Sequence, residues 1–132
     1  MTVLLDTCAF LWDAADRKRL STRASRAIQA AAGEGGIFLS AISCWEVAKL
    51  VQKEKLRLAM PIRDWLDAAL SRARLRLVEL SPAISVENTA LPGFTEGDPA
   101  DQIIVATARI LNLPVVTADR RILEYPGVRT IW

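Results

Sequence analysis

Val3-Leu4-Leu5-Asp6-Thr7 decides the fold: a short apolar run that ends in a carboxylate and a hydroxyl. Phe10, Leu11 and Ala14 follow at helical spacing. An apolar run this short, bounded by such residues, reads as a strand buried on both faces, the kind found in parallel sheets. In open α/β sheets the chemistry sits beyond the carboxyl ends of the strands. Asp6 stands at such an end.

Three further strands are expected at Ile37-Phe38-Leu39, at residues 75–80 and at Val115-Val116-Thr117, with residues 128–131 as a candidate edge strand. Helices are expected between them. The first full one covers residues 21–32, capped by Ser21 or Thr22, with Leu20, Ala24, Ala27, Ile28 and Ala31 inward. Others cover 44–53, with Cys44, Val47, Ala48 and Val51 inward, then 61–74 after Pro61, and 82–90 after Ser81. Residues 100–111, opened by Asp98-Pro99 and stopped at Asn112, are apolar nearly all round and so expected to be buried. A short helix runs from Asp119 to Leu123, and Asp16-Arg17-Lys18-Arg19 reads as a charged loop. Strands alternating with helices predict a three-layer α/β/α sandwich around a parallel sheet of four to five strands, one domain spanning 1–132.

Composition narrows the chemistry. The 132 residues contain no histidine, which removes Ser-His-Asp triads, Cys-His pairs, paired-His ribonuclease chemistry and His-based zinc sites. Cys8 and Cys44 form no C-x-x-C and are expected to be buried, inert thiols. Hydrolysis on this chain must therefore run on carboxylates and a metal. The net charge of +2 and a pI near 8.8 are compatible with nucleic acid without demanding it. Hydrophobic residues make up 52 %, yet no run approaches a bilayer span, so the excess apolar surface is expected to cover a homodimer face or a partner groove. The chain starts on its first strand with no leader ahead of it, and a cytoplasmic location is expected.

Four acids fall at strand ends or helix starts: Asp6, Glu46, Asp101 and Asp119, with Asp98 as a fifth. Strand ends lie roughly 5 Å apart, so such side chains can converge on one ion. Oxygen-only donors suit Mg²⁺ or Mn²⁺. Each acid also has an ordinary reading. Ser43-Cys44-Trp45-Glu46 fits a capping box, or Glu46 faces Lys49. Asp98-Pro99-Ala100-Asp101 fits a helix start, and Asp119 pairs with Arg120 or Arg121 or caps a turn. Joint placement favours the site, because independent caps have no reason to meet at one sheet edge.

Leu4-Leu5-Asp6-Thr7, Ser40-Ala41-Ile42-Ser43 with Trp45-Glu46-Val47-Ala48, Gly97-Asp98-Pro99-Ala100-Asp101, Ile104-Val105-Ala106-Thr107-Ala108 and Val116-Thr117-Ala118-Asp119-Arg120-Arg121 occur in this order. With this ordered set the sequence resembles, over essentially its whole length, the PIN-domain ribonucleases, and in particular the VapC-like toxins of bacterial type II toxin–antitoxin pairs. The resemblance implies an Mg²⁺- or Mn²⁺-dependent endoribonuclease leaving 5′-phosphate and 3′-hydroxyl ends, inhibited by a cognate antitoxin. It implies Asp6, Glu46, Asp101 and Asp119 as the metal acids in that order, Asp98 as an accessory in the same turn, and Thr117 and Thr7 as supporting hydroxyls. Two positions depart from it: Cys8 and Glu96 stand where histidine is common among relatives.

Arg120 and Arg121 adjoin Asp119 and are the expected RNA-phosphate contacts. Trp12, Trp45 and Trp65 sit among apolar neighbours and are expected in core or interface rather than under bases. A D-x-D nucleophile pair is missing, since Thr7-Cys8 follows Asp6, and the Gly33–Gly36 cluster precedes a strand instead of following one, which disfavours dinucleotide binding. The competing expectation is a catalytically inactive PIN-like domain that binds protein or nucleic acid.

Overall fold

The computed structural model describes residues 1–72 and 74–132. Its strands are β1 (Thr2–Leu5), β2 (Gly36–Ser40), β3 (Leu75–Val78), β4 (Val115–Val116) and β5 (Thr130–Ile131). Its helices are α1 (Thr7–Ala15), α2 (Thr22–Gly33), α3 (Ala41–Gln52), α4 (Ile62–Leu70), α5 (Pro82–Asn88), α6 (Pro99–Leu111) and α7 (Arg120–Leu123), with a short 3₁₀ turn at Arg17–Arg19. The sheet order is β3-β2-β1-β4-β5 and every pairing is parallel.

The apolar run of β1 behaves as its composition requires. Val3, Leu4 and Leu5 are all 0 % exposed. Alternate side chains leave opposite faces. Val3, Leu5, Ile37, Leu39 and Val116 join Phe10 of α1, Ile28 of α2 and Trp65 of α4 in one core layer. Leu4 and Val115 join Ile84 of α5, Ile104 of α6 and Ile122 of α7 in the other. The result is the expected three-layer α/β/α sandwich. Among the described residues no helix is long and apolar enough to cross a membrane.

Several boundaries differ from expectation. α3 begins at Ala41, not residue 44, because β2 runs straight into it: Ser40 ends the strand and its Oγ accepts from the Ile42 N–H at 3.2 Å. α4 stops at Leu70, where the Ser71 N–H returns to Asp67 O and Ala68 O, and Arg74 has a positive φ of 63° that no helix holds. The expected run to 74 also includes residue 73, which lies outside the described residues. β3 is an edge strand, so Leu77 of its alternating pattern is exposed. The charged loop at 16–19 is tightened into the 3₁₀ turn.

The order of strands locates the site. From central β1 the chain winds outward to β2 and β3, then returns to the other side for β4 and β5. The crevice beyond the ends of β1 and β4 is therefore the topological switch point, where open α/β sheets place ligands.

Candidate active site

At this switch point lies a cavity of about 570 Å³, and all five candidate acids line it: Asp6, Glu46, Asp98, Asp101 and Asp119. The sheet and helix starts bring them from four separate stretches of chain. Three of the acids are also helix caps. Asp6 Oδ1 accepts from the Ala9 N–H at 2.8 Å, Asp98 Oδ1 from Ala100 at 2.9 Å and Asp119 Oδ1 from Arg121 at 2.8 Å. The ordinary reading and the site reading thus hold together, because one oxygen caps while the carboxylate as a whole faces the cavity. For Glu46 the capping-box reading fails. Ser40, not Ser43, caps α3, and Glu46 accepts from the Thr7 hydroxyl.

Two hydroxyls lock the buried acids. Thr117, fully buried, donates to Asp6 Oδ2, and its own oxygen accepts from the Asp119 N–H at 2.9 Å. Thr7 bridges Glu46 and the buried Ser43 hydroxyl, the latter at 2.9 Å. The sequence offers Ser43 only as a cap, and Thr7 to Ser43 is a contact no spacing rule reveals.

The electrostatics are those of uncompensated negative charge. Burial pushes the Asp101 carboxyl up to about 7, and the fields of Asp119, Asp98, Glu46 and Asp6 add to it. Burial likewise raises Asp6, against the lowering effect of its bonds from Thr117 and Ala9. It raises Glu46 against its bond from Thr7, with Asp98 and Asp6 adding to the rise. Cys8 is exposed at the cavity wall, not buried as expected, because it sits in the first turn of α1 on the side away from the sheet. Desolvation, then the four carboxylates around it, push its thiol up to about 11 and leave it a poor nucleophile.

The acids share one cavity, yet among the described residues no three His, Cys, Asp or Glu side chains stand as a ready-made metal group. Like charges repel, and Asp6 and Glu46 are held by hydroxyls while Asp98 and Asp119 are held by their own helices. The donor set is all carboxylate oxygen and its charge is unbalanced, which fits a hard divalent cation by chemistry and by sign.

Neither Arg120 nor Arg121, the expected phosphate contacts, lines the cavity. Arg121 donates to the Glu96 carbonyl and stacks over Phe94 with 5.1 Å from its guanidinium carbon to the ring centroid. Arg120 is exposed, 4.0 Å from Glu124. The basic residues on the cavity wall are Lys49, Lys53 and Lys55 of α3 and the turn after it. Trp65 packs edge-on against Phe10 in the core, as expected, and Trp12 is half-buried against Trp132. Trp45 is not core: it is 56 % exposed and lines the cavity. The signal for these was present as Trp45, Lys49 and Lys53, spaced by four along one helix.

Comparison with known proteins places the chain in a family. The PIN-domain family profile matches residues 3–128. The chain is similar to ribonuclease VapC22 of Mycobacterium tuberculosis, with 38 % identity over 99 % of this chain and 98 % of that protein. In fold it is similar to VapBC2 of Rickettsia felis, solved bound to a fragment of promoter DNA (TM-score 0.66, 19 % identity, 98 % of this chain and 97 % of that one). It is also similar to FitAcB of Neisseria gonorrhoeae (TM-score 0.65, 22 % identity, 98 % and 96 %).

Proposed function

Since the chain belongs to the PIN-domain family, and to its VapC-like branch, we propose that it is a divalent-metal-dependent endoribonuclease, the toxin of a type II toxin–antitoxin pair. One observation carries this reading. Acids from four separate stretches line one cavity at the switch point, and their mutual field helps hold Asp101 near 7.

Asp6, Asp101 and Asp119, with Glu46, are the residues that would hold Mg²⁺ or Mn²⁺, and Asp98 stands at the same wall. When bound, such an ion acidifies a water and neutralises charge on phosphoryl oxygens. The chain's own part is positioning. Thr117 fixes the Asp6 carboxylate and, through the Asp119 N–H, the start of α7. Thr7 and Ser43 fix Glu46 against α1. Water attack in line on an RNA phosphodiester, with the 3′-oxygen leaving, gives 5′-phosphate and 3′-hydroxyl ends. Arg120, exposed one residue from Asp119, is proposed as an outer phosphate contact, and Arg121 as a brace for the loop at Glu96.

The cognate antitoxin is proposed to cover this cavity. A homodimer is proposed as well, supported by the exposed Val86, Ile110 and Leu111 on the packed pair α5 and α6. The decisive experiment incubates antitoxin-free protein with total RNA, with and without millimolar Mg²⁺, and maps the ends. Cleavage only with the ion, leaving 5′-phosphates, is expected. Binding without cleavage under both conditions would instead favour the inactive binding module.

A further inference from the structure

The cavity is lined by two unlike sets of side chains. One is the carboxylate set. The other is formed by Trp45, Lys49, Lys53 and Lys55. α3 joins the two, since Glu46 follows Trp45 directly, and Trp45, Lys49 and Lys53, the residue that ends the helix, form one stripe at four-residue spacing.

We propose that Trp45 is a stacking platform for one base of single-stranded RNA, with Lys53 and Lys55 holding the adjoining phosphate on the approach to the acids. This rests on the nuclease reading and names how its substrate is held. A tryptophan more than half in water is uncommon, because its large apolar surface is normally buried. Here it is also braced. Lys49 Nζ lies 5.6 Å from the indole centroid and donates to Gln52 Oε1 at 3.1 Å. The end of α3 sets the third cation. Glu54 takes the left-handed conformation at φ 59°, and the N–H groups of Glu54 and Lys55 return to Val51 O at 3.0 Å and Leu50 O at 2.9 Å. That fold-back brings Lys55 to the same wall as Lys53. Among the described residues none of the three lysines is in an ion pair.

Charge complementarity selects the occupant. Ammonium groups beside an open indole match a polyanion that carries flat apolar rings. An acidic peptide segment without aromatic or apolar side chains would satisfy the lysines but not the indole. A duplex would keep its bases stacked on one another, whereas a single strand frees a base for the ring.

The test measures binding and cleavage separately, using fluorescein-labelled single-stranded RNA. Binding is read in EDTA and cleavage in Mg²⁺. Trp45→Ala should raise KM and the EDTA dissociation constant about tenfold while kcat stays within about twofold, and Trp45→Phe should recover most of the loss. An abasic site next to the scissile bond should weaken binding to the wild type and add nothing in Trp45→Ala. Lys53→Ala with Lys55→Ala should lower the salt slope of binding by about 0.7, the share of one phosphate on a single strand. Unchanged KM and affinity in Trp45→Ala, or an abasic loss equal in both proteins, would overturn the proposal. So would a Trp45→Ala protein that loses only a co-purifying protein partner and keeps its RNA affinity. If the wild type cuts nothing in Mg²⁺, the nuclease reading fails, and the EDTA arm still decides the role of Trp45.

Discussion

Asp13 and the cavity acids are both buried carboxylates, and the fold treats them in opposite ways. Asp13, on α1 with its side chain 5 % exposed, is met by Arg72 and, at 3.7 Å, by Arg17. Two cations from its own chain answer one acid. Asp6, seven residues earlier, is as buried and is met only by neutral donors, Thr117 and the Ala9 N–H. Asp101 is met by the fields of four other acids. Unneutralised charge is costly inside a protein. The chain can therefore neutralise a buried carboxylate with arginine and does so one helix away. At the switch point it leaves the charge for something from outside to answer. The difference is the reason to propose Asp13 as an acid that holds the fold together and the cavity acids as acids that bind.

The largest effect that would break this contrast is on catalysis. Asp6→Asn and Asp101→Asn should each lower RNA cleavage by about a hundredfold or more, the scale of losing a key electrostatic group at a reacting centre. The same Asp101→Asn protein, free of metal, should melt higher than wild type, because the repulsion of four neighbours is gone. Activity lost together with a raised melting temperature marks a binding acid. Full activity in either variant would remove that residue from the site.

The second effect is on stability. Arg72→Met leaves Asp13 buried with only the distant Arg17, and the fold should lose roughly 2–4 kcal/mol in denaturant unfolding, below the fully buried figure because Arg72 is partly solvated. Cleavage per folded molecule should not change. A loss of activity without loss of stability would mean that the Asp13 pair serves the site after all.

How far the sequence foretold this contrast depends on what each residue's neighbours were. β1 was legible because a run buried on both faces has only one good home, and Asp6 followed from it. Asp98, Asp101 and Asp119 were legible as helix starts, and the topology then gathered them. The start of α3 was misread because Ser40 and Ser43 are equally good caps in isolation, and only the direct passage from β2 selects Ser40. For Trp45 the sequence left core and interface open, because its sequence neighbours are apolar while burial depends on which element covers that face; among the described residues none does, and core is excluded. The contacts of Arg121 with the Glu96 carbonyl and the Phe94 ring were not legible, because nearness to Asp119 in the chain says little about which way a side chain points. The Asp13–Arg72 pair spans 59 positions and leaves no local trace.

The smallest effect, and the sharpest test of what the cavity lacks, is a dependence on pH. Folded Asp101 keeps its proton up to about 7, whereas its ordinary value is 3.8. Between those values the native state binds more protons than the unfolded chain, so stability falls as pH rises through that window and levels off above it. Asp6 and Glu46 are raised as well and push in the same direction. Metal-free protein should thus melt higher at pH 5 than at pH 7.5, and Asp101→Asn should shrink the difference. Adding Mg²⁺ should raise the melting temperature at pH 7.5 by about 10 °C if the ion is at a hundred times its Kd, the shift such a ligand supplies to a domain of this size. At pH 5, protons occupy the same oxygens and the gain should be smaller. A melting temperature that climbs from pH 5 to pH 7.5 without metal, or an equal response to Mg²⁺ at both, would mean that the cavity acids are already balanced within the chain, as Asp13 is.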